Sequence, residues 1–287
     1  MEILFGVIAV IAILLIGVMI YDSNRFHKVT YELSSKYVTK DFRFVFLSDL
    51  HNKQYGEGNQ KLLDAIDACN PDAIMIGGDI LTATPGKSVV PAAEFVNKLA
   101  DKYLLYYANG NHEQRLELYP ETYGDMGKEY EALLEEASVY RLINEKEYNA
   151  EHGVEVVGCQ IDRRYYKRFQ KVTMEEGYLG ETLPDKTQGM YTILLAHNPD
   201  YFPEYKKWGA DLVLSGHVHG GVMRLPYLGG VLGTNFRLFP KYDGGMFREG
   251  EAVMIVSRGL GAHTIPLRLF NPAELIEVVI KKEMKEA

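Results

Sequence analysis

The sequence has few cysteines, and this scarcity excludes two kinds of site. Only Cys69 and Cys159 occur among 287 residues, and they lie in unrelated contexts. Two such residues cannot build the disulfide framework of a small secreted domain or a cysteine metal site. A metal site in this chain would have to use carboxylate, amide and imidazole ligands.

The chain also lacks an excess of positive charge. Its 31 lysines and arginines are outnumbered by 39 aspartates and glutamates, so the formal net charge is −8. A protein with this balance has no long-range positive field that would recruit a phosphate backbone. We therefore expect no nucleic-acid partner. The hydrophobic share of 47% is that of an ordinary globular protein, and no repeat or low-complexity segment is present.

One long apolar segment stands at the N-terminus. Residues 3–20 carry no charge, and as a helix they would measure about 27 Å, close to the hydrocarbon thickness of a bilayer. We predict a transmembrane anchor over residues 1–21, a connector over residues 22–40 and a globular domain over residues 41–287. The alternative is a cleaved signal peptide, but no Lys or Arg precedes the segment and no small-residue cleavage site follows it.

The charges around this segment predict its orientation. Only the amino terminus and Glu2 precede it, whereas four basic residues follow within the connector: Arg25, Lys28, Lys36 and Lys40. The positive-inside rule then favours the cytoplasmic side for the globular domain. The expected location is the cell membrane, with a single pass.

Five short motifs rich in aspartate, asparagine and histidine each follow an apolar, β-rich run. They are Asp-Leu-His at 49–51, Gly-Asp at 78–79, Gly-Asn-His-Glu at 110–113, Ala-His-Asn at 196–198 and Gly-His-Val-His at 216–219. This mixture of oxygen and nitrogen ligands suits Mn, Fe or Zn rather than Ca. In extended chain Asp49 and His51 project to one face, so such a pair can bind one metal ion.

The preceding runs predict strands that end where the motifs begin. These strands are expected at residues 42–47, 73–76, 103–107, 191–195 and 212–214, with helices at 59–69, 89–99 and 119–137 between the early ones. In open α/β sheets, ligands bind beyond the carboxyl ends of the strands. We therefore expect the five motifs to converge on one site.

The ordered set of motifs resembles the calcineurin-like metallophosphoesterase superfamily over nearly everything after the first 40 residues. The phrases Ser-Asp-Leu-His at 48–51, Ala-His-Asn-Pro at 196–199 and Ser-Arg-Gly-Leu-Gly at 257–261, with the apolar N-terminus, look most like its bacterial membrane-anchored branch. The resemblance implies an α/β fold, a four-layer α/β/β/α sandwich of two mixed sheets, behind an N-terminal transmembrane helix.

The resemblance also implies a site for two divalent metal ions, Mn, Fe or Zn. One ion would be held by Asp49, His51 and His219. The other would be held by Asn111, His197 and His217. Asp79 would bridge the two, and the glycines before it would let the backbone approach the metals.

The same resemblance assigns the chemistry. Hydroxide between the metals would attack phosphorus in an in-line displacement. His112, beside the ligand Asn111, would protonate the leaving oxygen or neutralise charge developing on the phosphate.

Other basic residues are candidates for binding substrate. His263 follows a glycine turn near the expected site, and Arg258 has the fork geometry that suits phosphate. Residues 163–171 hold five basic and three aromatic side chains, and at helical spacing Arg164, Lys167, Arg168 and Lys171 would share a face. This segment, with Arg164 and Arg168, could contact an anionic headgroup or lie on the bilayer interface. The alternative is a solvated loop.

The function expected from these features is membrane-tethered phosphoester hydrolysis. The anchor and the basic segment favour a phospholipid or a nucleotide-sugar-lipid diphosphate as substrate, while a soluble phosphodiester would use the same metals. The alternative is a non-catalytic membrane-tethered scaffold of the same fold, which would be expected to lack ligands. All eight matching positions are present.

Overall fold

The computed structural model describes residues 1–135, 137–221, 223–225, 227–233, 237–262 and 267–283. Within these residues the chain forms two six-stranded sheets, one short two-stranded hairpin and eight α-helices.

The strands alternate with helices in the first half of the chain and dominate the second half. The strands are β1 (Phe26–Ser35), β2 (Phe42–Leu47), β3 (Ala73–Ile76), β4 (Leu104–Tyr107), β5 (Val139–Arg141), β6 (Lys146–Asn149), β7 (Val154–Cys159), β8 (Tyr191–Ala196), β9 (Leu212–Ser215), β10 (Arg224–Leu225), β11 (Gly229–Gly230), β12 (Gly245–Glu249), β13 (Ala252–Val256) and β14 (Ala273–Lys282). The helices are α1 (Glu2–Ser23), α2 (Gln60–Asp67), α3 (Val90–Ala100), α4 (Asn111–Leu118), α5 (Pro120–Tyr123), α6 (Met126–Glu135), α7 (Tyr178–Thr182) and α8 (Phe202–Trp208).

Both large sheets are mixed. The first has the order β1-β14-β2-β3-β4-β5, and only the β14–β2 pair in it is antiparallel. The second has the order β12-β13-β9-β8-β7-β6, with antiparallel pairs at its two edges. The central strands of each sheet are parallel, so their carboxyl ends lie at one edge.

Alternation along the strands divides the core into layers. In β2, Phe44 and Phe46 pack between the two sheets, whereas Val45 and Leu47 pack on the other face against the early helices. In β8, Leu195 joins the inter-sheet layer while its neighbours face α7 and α8. Because alternate side chains of each strand are buried on opposite faces, both faces of both sheets are covered, and the layers follow in the order helix, sheet, sheet, helix. The predicted four-layer α/β/β/α sandwich is confirmed.

Helix α1 precedes the sandwich and leaves its apolar side chains exposed. Its 22 residues span about 33 Å, and it is the one helix among the described residues long and apolar enough to cross a membrane. Length and composition alone support this reading, and a signal sequence near the N-terminus would share both properties.

Residues 26–35, within the segment predicted as a connector, form strand β1. It pairs in parallel with β14 from Phe26 opposite Ala273 to Ser35 opposite Lys282. Its outward side chains are polar, as suits an edge strand, so it lacks the apolar run that identified the other strands.

Two predicted helical features are absent from the structure. The single helix expected over residues 119–137 is divided into α5 and α6, because Gly124 adopts a left-handed conformation with φ 61°. Residues 163–171 form a 3₁₀ turn only over Arg163–Tyr166, and Lys167 is extended with ψ 133°. The shared helical face predicted for this segment does not form.

Candidate metal centre

The five motifs follow β2, β3, β4, β8 and β9, and the structure brings them together at the carboxyl ends of these strands. Their Asp, Asn and His side chains come from both sheets and are buried, except for that of His217, which is partly exposed. The five motifs therefore converge, as expected for the carboxyl ends of strands in an α/β sheet.

One group of ligands contains Asp49, His51 and His219. The ligand atoms of the three lie within 4.8 Å of one another. The Nε2 atoms of His51 and His219 are 3.1 Å apart, and Nε2 of His219 is 3.1 Å from Oδ1 of Asp49. These are the residues predicted to hold the first ion.

A second group contains Asp79, His197 and His217, whose ligand atoms also lie within 4.8 Å of one another. Nε2 of His197 is 3.2 Å from Oδ2 of Asp79. Oδ1 of Asn111 is buried without a hydrogen-bond partner. The same Oδ2 of Asp79 is 3.8 Å from Nε2 of His51 in the first group, so Asp79 lies between the two sets, where a bridging ligand is expected.

Hydrogen bonds orient the imidazole rings. Nδ1 of His197 is 2.7 Å from the carbonyl oxygen of Gly77, and Nδ1 of His219 is 3.3 Å from that of Gly261. A carbonyl can only accept, so both Nδ1 atoms donate, and Nε2 of His197 and of His219 face the carboxylates of Asp79 and Asp49 at 3.2 and 3.1 Å. At these distances a cation lies between each ring nitrogen and its carboxylate, either a proton or a metal ion that replaces the proton. The residues present therefore fit divalent metal ions.

The electrostatics agree with this fit. Burial raises the pKa of Asp49, but His219 and His197 outweigh it and the net pKa is lowered. Burial lowers the pKa of His197, yet the carboxylates of Asp79 and Asp49 raise it to about 10. With no metal ion bound, the two carboxylates therefore attract a proton to His197, and a divalent ion would replace that proton as the neutralising positive charge.

Strained backbone holds the ligands in place. Asp49, His51, Asp79, His217 and His219 all have left-handed backbone, with φ between 50° and 69°. Such conformations are unfavourable for residues with a Cβ and cluster at functional sites. Residue types alone gave no indication of this strain.

Two glycines are required by close backbone approach. Gly78 has φ 92°, and a Cβ there would collide with the backbone of Gly110. A Cβ at Gly216 would collide with Oγ of Ser48 and Oδ2 of Asp49. The motif glycines thus let the ligand loops touch one another.

His112 lies beside Asp79 and His51, and a hydrogen bond to the backbone orients its ring. The backbone N–H of Ala83 donates to Nδ1 at 2.9 Å, and Nε2 is 4.0 Å from Oδ2 of Asp79. Burial lowers the pKa of His112 to about 4. The ring is therefore neutral at pH 7 and carries its proton on Nε2, which faces the site.

Sequence reasoning missed the role of Glu113. Its carboxylate is buried and accepts from the backbone N–H groups of Asp79, Ile80 and Gly110 at 2.8–3.0 Å, and from the hydroxyl of Tyr107 at 2.8 Å. It therefore ties the loop of Asp79 to the loop of Asn111 and His112. The sequence signal that could have identified Glu113 is its position in the motif at 110–113, directly after the candidate ligand Asn111 and the catalytic candidate His112.

The predicted substrate residues have mixed placements. The guanidinium of Arg258 is 3.0 Å from Glu274, and that of Arg164 is 3.0 Å from the exposed Glu175. Arg168 is exposed, and His263 lies outside the described residues. The roles of these four in substrate binding stay predictions.

Two arginines that the sequence did not single out lie near the metal cluster. Burial lowers the pKa of Arg115, and the nearby charges of Arg163 and Arg168 lower it further, while Asp79 opposes them. Nε and Nη1 of Arg163 are buried without hydrogen-bond partners. An unsatisfied guanidinium group such as that of Arg163, close to a metal site, suits a phosphate oxygen.

Comparison with known proteins gives a family match over residues 42–221, to the calcineurin-like phosphoesterase model. Members of this family use two divalent metals, and the match supports an enzyme that hydrolyses phosphoesters rather than a scaffold.

Three relatives span most of the chain. It is 26% identical over 254 residues to the uncharacterized metallophosphoesterase YkuE of Bacillus subtilis, covering 84% of this chain and 79% of YkuE. It is 30% identical over 250 residues to a transmembrane protein with metallophosphoesterase domain of Danio rerio, covering 84% of this chain but only 53% of the relative. It is 25% identical over 232 residues to phosphodiesterase YaeI of Escherichia coli, covering 77% and 76%.

Proposed function

The chain belongs to the calcineurin-like phosphoesterase family, and we propose that it is a membrane-tethered, two-metal hydrolase of a phosphodiester or diphosphate carried by a lipid. The convergence of eight predicted side chains into one cluster, seven of them buried, with Nε2 of His197 and of His219 facing carboxylates, is the observation that carries the hydrolytic part of this proposal. The tether is supported by the length and exposure of α1 and by the name of the Danio rerio relative.

In the proposed assignment, Asp49, His51 and His219 would hold one ion, and Asn111, His197 and His217 would hold the other, with Asp79 available to both. The ions would supply Lewis acidity, polarising phosphoryl oxygens and lowering the pKa of a bound water. The side chains of the protein would supply the remaining interactions with the substrate.

His112 acts as a hydrogen-bond donor in this proposal. Its Nδ1 accepts the Ala83 N–H, so the proton on Nε2 is directed at the reacting phosphate. Donation to an oxygen on which charge develops stabilises the transition state more than the ground state. Glu113 is a positioning residue, since its carboxylate accepts hydrogen bonds from both loops that carry Asp79 and His112.

Arg115 and Arg163 favour a substrate with a second anionic group. Arg115 lies three residues after His112 on α4, a spacing that puts both on one helix face. The guanidinium of Arg163 is 5.6 Å from the ring centre of Tyr166, and that ring is 5.2 Å from His217. Two guanidinium groups close to a two-metal site would be matched by a diphosphate or a diester with an anionic headgroup.

The test is turnover by the purified full chain in detergent, stripped of metal and reloaded with Mn²⁺. An aryl phosphomonoester, an aryl phosphodiester and a UDP-linked diphosphate are compared. We expect metal-dependent turnover with the highest kcat/KM for the diphosphate. Equal or better turnover of the monoester would contradict the proposed substrate class, and no turnover of any ester with two metals bound would contradict hydrolysis of these classes.

Variants of adjacent arginines sharpen the test. Arg163→Gln should raise KM for the diphosphate about tenfold or more, the effect of one lost charged hydrogen bond, and leave the aryl phosphodiester nearly unchanged. Arg164→Gln removes the same charge one residue away, where the side chain pairs with Glu175. A larger effect from Arg164→Gln would favour the residue predicted from sequence and refute the role of Arg163.

A further inference from the structure

We propose that this protein has a second membrane-contacting surface, separate from α1, which places the mouth of the metal site against the bilayer. The apolar rim, as we call it, consists of six exposed side chains: Tyr227, Leu228, Leu238, Phe239, Leu267 and Phe270. Their relative exposures range from 41% to 107%. Single exposed apolar residues are normal on soluble proteins, whereas a group on neighbouring segments marks an interaction surface.

Backbone contacts hold the three segments of the apolar rim together. Tyr227 and Leu228 lie at the tip of the β10–β11 hairpin. The N–H of Phe239 donates to the carbonyl of Val231, just after β11, at 3.0 Å, and Leu238 forms a β-bridge with Leu232. On the other side Met223, just before β10, forms a bridge with Leu269. The apolar rim is therefore one small structural unit.

The end of α1 is docked at the base of this unit. Asp22, in the last turn of α1, is only 2% exposed, and its Oδ2 accepts from the backbone N–H of Asn271 at 3.2 Å. Asn271 directly follows Phe270 of the apolar rim. The point where the proposed anchor leaves the membrane therefore lies beside the apolar rim, so the two surfaces are continuous.

The same contact reaches the metal site. The side-chain amide of Asn271 donates to the carbonyl of His219 at 2.8 Å and to that of Gly221 at 2.6 Å. Asn271 thus connects the end of α1, the apolar rim and the loop that carries the proposed ligand His219. A rigid connection of this kind sets the distance between the site and the bilayer.

Backbone strain supports an outward role for the aromatic members of the apolar rim. Tyr227, Phe239 and Phe270 have φ values of 65°, 49° and 54°. A left-handed conformation is unfavourable for a bulky residue, and it persists where function requires it. Here it presents three aromatic rings to solvent, and aromatic side chains are the ones that favour the membrane interface.

Basic side chains near the end of α1 favour a lipid bilayer as the partner of the apolar rim. The guanidinium of Arg25 binds Asp22 at 2.8 Å, and the ammonium of Lys53 binds the side chain of Asn24 at 3.0 Å. Basic side chains at the end of a transmembrane helix lie at the level of lipid headgroups. A protein partner would need no such continuity with α1. The inference rests on the proposed membrane tether, and it implies that substrate enters the site from the membrane surface.

The test uses the full chain in lipid nanodiscs of phosphatidylcholine and phosphatidylglycerol, with or without doxyl-labelled lipid. Both native cysteines are buried, so an environment-sensitive fluorophore is attached at one introduced cysteine. Leu228→Cys reports on the apolar rim and Ile13→Cys on α1. The matched control is Tyr148→Cys, an exposed aromatic position on β6 at the far edge of the second sheet.

We expect doxyl lipid to quench the probe at positions 228 and 13 by at least about twofold, with blue-shifted emission, and to leave position 148 unchanged. Quenching at 13 but not at 228 would overturn the apolar rim and leave the tether intact. No quenching at 13 would remove the tether, and this inference with it. A blue shift at 228 without quenching would show contact with protein instead of lipid and would also overturn the proposal.

Discussion

Replacing His112 with asparagine separates its chemical role from its structural one. In the folded protein Nδ1 of His112 accepts the Ala83 N–H at 2.9 Å. The Oδ1 atom of asparagine is attached at the same place in the side chain and can accept that bond. Nothing in His112→Asn reaches the position of Nε2, so the variant should fold and lack only the donor that faces the site.

The expected loss follows from the single donor removed. One hydrogen bond to developing charge in a preorganised site contributes about 10² to 10³ in kcat, or about 3–4 kcal/mol. His112→Ala would additionally leave the buried Ala83 N–H without an acceptor, at a cost of about 1–3 kcal/mol in stability. His112→Asn avoids that second effect, so its kinetics can be interpreted without a correction for unfolding.

The assay compares aryl phosphodiesters with good and poor leaving groups, alongside metal content by mass spectrometry. Because more charge develops on a poor leaving oxygen, the loss in kcat should grow as the leaving group becomes poorer. Both metals should remain bound. Ligand atoms of His112, His51 and Asp79 also lie within 4.8 Å of one another, so the rival role is that of a metal ligand. Loss of metal in His112→Asn, or an equal loss for every leaving group, would refute the donor role.

Two further changes test the site itself. Asp79→Asn should abolish turnover and release metal, because it removes the negative charge that lies between the two groups of candidate ligands. Metal content and activity are measured on the same sample, and a variant that has lost metal but is still active would contradict this prediction. Gly216→Ala should lower the metal affinity, measured by calorimetry, about 10- to 100-fold, because the added Cβ displaces Ser48 and Asp49. Gly180→Ala is the matched control, since an added Cβ there meets no atom within 4 Å, and it should leave the metal affinity unchanged.

The clustering of the candidate ligands was predictable because each is a specific residue type at the end of an apolar run. Asp49 follows β2 and His217 follows β9, and strand ends in an α/β sheet meet at one edge. The packing of the strands into two sheets and the division of the candidate ligands between two ions did not follow from these runs, and were expected only from the family resemblance of the motifs.

The arginines were not predictable in the same way. Choosing Arg164 and Arg168 assumed a regular helix, but Lys167 is extended and the 3₁₀ turn ends at Tyr166. A shift of one residue turns a side chain to another face, and the buried unsatisfied atoms belong to Arg163. Local geometry therefore decides which of several neighbouring guanidinium groups is buried and which is exposed.

The tertiary role of the N-terminal segment was also hidden. Asp22 is an ordinary acidic residue after an apolar run, yet it is buried against Asn271, which lies 249 positions later. Contacts of this range leave no periodic signal in the sequence. The same holds for the left-handed backbone of Asp49 and Asp79, which arises from the packing of loops against one another.

The most direct measurement is a titration of the metal-free full chain with Mn²⁺, recording bound metal and phosphodiester turnover in the same samples. The account predicts that turnover is absent without metal, rises with added Mn²⁺ and reaches its maximum at two ions per chain. Full turnover in the metal-free protein, or a maximum at one ion per chain, would contradict a two-metal site built from these residues.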